Sequence, residues 1–166
     1  GVIRTATLEE LFDVASLVAN QPVPAGRRVA VLTNAGGPGI LAADACEANG
    51  LELPTFSDAT IAALREFLPE AASVGNPVDM LASAPPEHYR RCVTLLLADP
   101  AVDSLLVIFI PPLVTSADEV ARAIVAASAG SAKPVLANFI SAQGAPPGIA
   151  PIPSYVFPEA AVAALA

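Results

Sequence analysis

Between Arg28 and Glu47 an apolar run, Val29-Ala30-Val31-Leu32, passes into Thr33-Asn34-Ala35-Gly36-Gly37-Pro38-Gly39 and resumes with helical spacing from Ile40. A strand that ends in glycines and restarts as a helix is the local architecture of an anion site. Glycines let the backbone approach a ligand, and the first helical amides point outward unpaired with the positive end of the helix dipole behind them. The candidate phosphate contacts are therefore Asn34, Ala35, Gly36, Gly37, Gly39 and Ile40. Pro38 suits the first helical turn, where its missing N–H would have had no partner. Two other readings stand beside this one. The glycines could serve close helix–sheet packing alone, and Gly37 to Ala42 also satisfies the dinucleotide pattern G-x-G-x-x-A. Against a dinucleotide, the next expected strand ends in Leu53-Pro54-Thr55, with no acid to hold a ribose hydroxyl. A Walker loop is excluded because no Lys-Ser or Lys-Thr follows the glycines.

Other chemistry-bearing residues are few. In Asn76-Pro77-Val78-Asp79, Pro77 pushes Asn76 out of the helical region, and Asp79 falls at a strand end where it can accept hydrogen bonds from the glycine loop. Asn76 and Asp79, with Pro111 and Pro112 at the end of another strand, are expected to support the loop rather than touch the anion. The single histidine, His88, lies in Pro86-Glu87-His88-Tyr89-Arg90-Arg91 and reads as a solvated residue of a first helical turn. The single lysine, Lys133, reads as solvated too. Cys46 and Cys92 sit on apolar helix faces without a C-x-x-C pair, so buried free thiols are expected and no metal site.

The elements that must position these residues alternate. Strands are expected at Arg28–Thr33, Leu51–Leu53, Pro77–Met80, Ser104–Ile110 and Pro134–Phe139, with helices at Pro38–Asn49, Asp58–Phe67, Pro86–Leu97 and Ala117–Ala129. Ser57, Ser116 and the glycines Gly50 and Gly130 mark helix ends. Ala142 to Pro153 reads as a surface loop before a short strand at Ser154–Val156 and a last helix. Short apolar strands joined by helices demand a parallel sheet covered on both faces. The expected class is α/β, a doubly wound parallel sheet in the order 2-1-3-4-5, with function at the switch point between the first and third strands. Before it, Thr7-Leu8-Glu9-Glu10 is a capping box opening a helix to about Asn20, with Leu8, Leu11, Phe12, Ala15 and Val18 on one face. Residues 1–26 are thus expected to be a connector helix and linker, and residues 27–166 the sheet domain.

With 166 residues, 54% of them hydrophobic and 14% charged, the chain holds one ordinary domain whose surface is apolar enough to suggest a covering partner. The formal charge is −8 and the basic residues are scattered, which excludes nucleic acid and anionic membranes as partners. The longest apolar run, Ser104 to Val114, is too short for a bilayer and is broken by prolines, so the chain reads as cytoplasmic. Both ends read as cuts in a longer polypeptide.

Thr33 to Gly39 with Ala42-Ala43-Asp44-Ala45-Cys46-Glu47, then Gly75-Asn76-Pro77-Val78-Asp79, Val107-Ile108-Phe109-Ile110-Pro111-Pro112 and Tyr155-Val156-Phe157-Pro158-Glu159, resembles the NDP-forming acyl-CoA synthetases, relatives of succinyl-CoA synthetase. The resemblance covers essentially the whole chain and corresponds to the second flavodoxin-like (CoA-ligase) domain of that family. It implies conversion of acyl-CoA, NDP and phosphate to acid, CoA and NTP through a phosphohistidine, with Asn34 to Ile40 as one of two helix ends facing the phosphoryl group. The phosphohistidine would come from another flavodoxin-like domain. CoA would bind a Rossmann domain, and ATP or ADP with Mg an ATP-grasp domain. The isolated domain would bind none of these cofactors, contribute no catalytic side chain and show no ligase activity, while its apolar surface would also permit a homo-oligomer. The same resemblance leaves room for a regulatory ligand-binding module fused to a GNAT acetyltransferase.

Overall fold

A computed structural model describes residues 2–113, 115–141 and 143–166. Val114, where the longest apolar run ends, and Ala142, where the expected loop begins, lie outside the described residues.

Among the described residues five strands form one parallel sheet: β1 (Val29–Thr33), β2 (Val78–Asp79), β3 (Ser104–Phe109), β4 (Val135–Phe139) and β5 (Ser154–Tyr155), in the order β2-β1-β3-β4-β5. The register sets Thr33 opposite Asp79 on one side and Ile108 on the other. Every residue of β1, β3 and β4 is buried, because helices cover both faces. Ala30, Leu32, Leu105, Val107 and Phe109 pack toward α3 (Asp58–Arg65), α4 (Pro86–Ala98) and α5 (Ala117–Ser128). Their alternates Val29, Val31, Leu106 and Ile108 meet Ala42 and Cys46 of α2 (Gly36–Ala48), Ala161 and Val162 of α6 (Pro158–Leu165), and Leu17 of α1 (Leu8–Asn20).

Local signals set the helix ends. Thr7 and Glu10 make both bonds of the capping box, Ser57 caps α3 through the Thr60 N–H, and Gly50 and Gly130 stand at φ +71° and +75°, where a left-handed residue ends a helix cheaply. α2 starts at Gly36, two residues before the expected Pro38, so Pro38 is its third residue.

One expected strand is absent. Leu51–Leu53 makes a single parallel bridge, Glu52 to Arg28, and then leaves the sheet at Pro54. The next places along that edge of β1 are taken by the Asn76 side chain, whose Nδ2–H donates to the Val29 carbonyl (2.8 Å) and whose Oδ1 accepts the Val31 N–H (2.9 Å). An amide group carries the donor and acceptor of a peptide unit, so it can stand in for a strand rung. The segment around Pro77–Met80 is consequently β2, and the switch point lies between β1 and Ser104–Phe109 rather than between β1 and Asp79.

Two further expectations shift. Ile149 and Ile152, within the stretch expected to be a surface loop, are buried beside a short 3-10 turn at Pro147–Ile149. α1 is held by the Tyr155 hydroxyl donating to the Asp13 carbonyl and by Gln21 Oε1 accepting the Val135 N–H, while Leu8, Leu11, Phe12 and Val18 face outward.

Candidate functional site: the exit of β1

β1 delivers its last buried residue, Thr33, into a turn whose polar groups are satisfied one at a time. The Thr33 hydroxyl accepts the Ala35 N–H and donates back to the Ala35 carbonyl, both at 3.0 Å. Asn34 is buried, and its side-chain amide both donates to and accepts from the backbone of Ile110. The Gly39 N–H reaches the Ala35 carbonyl at 3.4 Å, closing the first helical turn, and Pro38 has no N–H to offer. The Gly36 and Gly37 amides remain, without a hydrogen-bond partner among the described residues, at the positive end of a helix of 13 residues.

The glycines divide by role. A Cβ on Gly37 would meet nothing within 4 Å, so the space over its backbone is open. On buried Gly39 it would lie 3.0 Å from Thr33 Cγ2 and 3.6 Å from Pro77 Cβ, so this glycine serves close packing of α2 on the sheet. On Gly36 it would lie 3.2 Å from Asp79 Oδ2, which places that carboxylate beside the helix tip. Asp79 does not hold the glycine amides, however. Its Oδ1 accepts the Leu81 N–H at 2.9 Å, and no hydrogen bond joins it to the glycine loop among the described residues. The reason is local: a carboxylate readily bonds the backbone two residues ahead, and this turn carries Leu81 into the left-handed region at φ 69°. Pro111 and Pro112 follow Ile110 on the other flank, with Pro111 exposed. Ile40 lies exposed on α2.

The site is open. A cavity of about 890 Å³ lies elsewhere, between α1 and the end of α6, lined by Asp13, Leu17 and Ala164 among others and by none of the residues above. Around the carboxyl ends of the strands Ile40, Leu41, Leu113, Val156 and Phe157 are all more than half exposed. Amides and apolar side chains thus share one rim.

A model of the Ligase-CoA domain matches residues 29–158. The chain belongs to that family. This Ligase-CoA domain is 44% identical over 147 residues to the alpha subunit of an ADP-forming acetate–CoA ligase II of Pyrococcus furiosus, covering 85% of the chain and 32% of that subunit. It is 31% identical to an ADP-forming 4-hydroxybutyrate–CoA ligase of Nitrosopumilus maritimus, over 100% of the chain and 24% of that enzyme. A solved protein of Pyrococcus horikoshii OT3 superposes with a TM-score of 0.87 at 40% identity, and acetyl-coenzyme A synthetase 1 of Ca. Korarchaeum cryptofilum, in complex with phosphate and ADP, at 0.87 and 31%. Each structural match covers 99% of this chain, but only 40% and 37% of the other. The Ligase-CoA domain therefore spans well under half of these relatives.

The other residues singled out by type take no part in the turn that ends β1. His88 is half-buried instead of solvated: its ring meets Phe67 edge-on at 5.3 Å, Nδ1 has no partner among the described residues, and burial with nearby Arg91 lowers its pKa. Lys133 is not free either, donating from Nζ to the Asp99 carbonyl at 2.6 Å. Cys46 and Cys92 are buried free thiols, pushed up by burial to about 11 and about 12, so neither is a nucleophile at neutral pH. Among the described residues no cluster of His, Cys, Asp and Glu could hold a metal ion, and no helix is long and apolar enough to cross a membrane.

Proposed function

We propose that this Ligase-CoA domain serves an NDP-forming acyl-CoA synthetase by presenting the start of α2 to a phosphoryl group carried on a histidine of another domain. The observation that carries the reading is the pair of unpartnered amides, Gly36 and Gly37, under open space at the tip of a long helix. Relatives named as ADP-forming acid–CoA ligases, and an acetyl-coenzyme A synthetase solved in complex with phosphate and ADP, support it.

In this reading acyl-CoA, NDP and phosphate become acid, CoA and NTP, and the phosphoryl group rests on the histidine between acyl phosphate and nucleotide. The two N–H groups donate to its oxygens and help to hold the negative charge there. CoA belongs to a Rossmann domain, nucleotide and Mg to an ATP-grasp domain, and the histidine to a flavodoxin-like domain of the same cytoplasmic protein or complex. The exposed rim residues Ile40, Leu113 and Phe157 dock the histidine-bearing domain.

A phosphate titration followed by amide NMR tests this. Shifts are expected at Gly36 and Gly37, with millimolar or weaker affinity, because one exposed helix end contributes only about 0.3–1 kcal/mol. Gly37→Val should remove them while the fold persists, since its side chain would enter the open space over the backbone. Phosphate shifts elsewhere, or unaltered binding by Gly37→Val, would overturn the reading.

A further inference from the structure

Asn34 turns both polar atoms of its side chain to one residue of a different loop. It is 3% exposed; Nδ2–H donates to the Ile110 carbonyl at 2.8 Å, and Oδ1 accepts the Ile110 N–H at 2.9 Å. The backbone ladder between β1 and β3 runs from Val29↔Ser104 to Thr33↔Ile108, so this amide adds one rung just past its end. Asn76 uses the same device along the other edge of β1. The place of the extra rung follows from the sequence. Pro111 and Pro112 have no N–H, so Ile110 is the last residue before them able both to donate and to accept. Among the described residues no other side-chain hydrogen bond joins the two loops.

We propose that Asn34 is a positioning residue that locks the exits of β1 and β3 into one rigid rim, fixing the direction of the Gly36 and Gly37 amides relative to Pro111 and Pro112. This rests on the reading above that the rim faces a phosphoryl group. Asn34 then acts through the backbone and touches no anion with its side chain. Asparagine suits the task where close relatives do not. Ionised aspartate would set negative charge against the Ile110 carbonyl, serine is too short to reach both groups, and glutamine adds a methylene to a buried position.

The experiment follows amide signals of the chain during sulfate titration, sulfate remaining a dianion at every pH used. The wild type should shift at Gly36 and Gly37 and show a slowly exchanging Ile110 N–H. Asn34→Ala should stay folded, lose protection at Ile110, and bind sulfate up to about fivefold more weakly, the most that the contribution of one helix end allows. Asp99→Ala, which breaks a polar cluster at the opposite end of the sheet, should destabilise the fold and leave sulfate binding unchanged. Asn34→Asp should bind poorly when ionised and recover once its carboxyl is protonated, because a neutral carboxyl again offers one donor and one acceptor, whereas Asn34→Ala should not recover at any pH. Wild-type affinity in Asn34→Ala, or Asn34→Asp no better than alanine throughout, would overturn the proposal. If the wild type ignores sulfate at Gly36 and Gly37, the phosphoryl reading fails and this inference with it. Wild-type binding that survives intact in Asn34→Ala removes the inference alone.

Discussion

The two ends of the sheet are built on opposite principles. At the amino end charge is paired. Asp103 accepts the Arg28 N–H, Nε–H and Nη2–H, Asp99 accepts from Ser57 and Ala101, and Lys133 donates to the Asp99 carbonyl. At the carboxyl end helix amides are left unpaired and large apolar side chains are exposed. The residues that look most chemical by type, Asp, Arg and Lys, hold the scaffold together, while the candidate chemistry belongs to glycine backbone. A paired charge lowers the energy of the fold, whereas an exposed donor left to water adds nothing to the fold and is free for a partner.

Substitution at the amino end should give the largest effect. Asp99→Ala leaves the Ser57 and Ala101 N–H groups without their acceptor and should cost about 3 kcal/mol in chemical denaturation. A loss below about 1 kcal/mol would mean that this end is not the anchor.

Acid should attack the same end. Arg28 hydrogen bonds hold the Asp103 carboxyl below its usual range. Burial pushes Asp99 up, but hydrogen bonds from Thr60, Ala101 and Ser57 outweigh it and leave that group low as well. Both therefore bind protons more readily unfolded than folded, so their contribution is complete above the unfolded pKa of about 3.9 and is lost as pH falls through the folded values. Thermal melts should fall steeply below about pH 4, and Asp99→Asn should flatten that fall.

At the carboxyl end the glycines should separate. Gly39→Val should destabilise by about 1–3 kcal/mol, since its Cβ alone meets Thr33 Cγ2 at 3.0 Å. Gly37→Ala, with open space and a helical position, should stabilise by about 0.5–1 kcal/mol. Equal losses at both positions would assign the glycines to packing alone.

The smallest effect concerns Asp79. Its Oδ2 lies beside the helix tip and bonds no loop amide, so its charge opposes a bare anion there. Asp79→Asn keeps an acceptor for the Leu81 N–H and should tighten phosphate binding about twofold; weaker binding would restore Asp79 as an organiser of the loop.

The sequence was legible wherever the physics is short-range. Thr7 and Glu10 form the expected box, Gly50 and Gly130 end helices, and the alternation of apolar runs with helical spacing yields a parallel α/β sheet in the order 2-1-3-4-5. Leu51–Leu53 misled because an apolar triplet satisfies a strand pattern whether or not a neighbour pairs with it, and here Asn76 occupies the adjoining rungs. Lys133 and His88 misled because solvation was inferred from residue type and place along the chain, whereas packing of distant elements decides burial.

The amino-acid sequence by itself determined that a strand must run into a glycine turn and a helix, and that few charged groups stood near it. Strand period, helix period and caps act over only a few residues, so the order of residues suffices to specify them. Only the tertiary structure decided which groups of that turn stay available. Thr33 and Asp79 spend their hydrogen bonds locally, on Ala35 and Leu81, but Asn34 is committed to a backbone 76 residues away, and Gly36 and Gly37 are left. Each hydrogen-bonding group goes to the best partner that folding brings within reach, and partners distant in sequence enter that competition only when the sheet has formed.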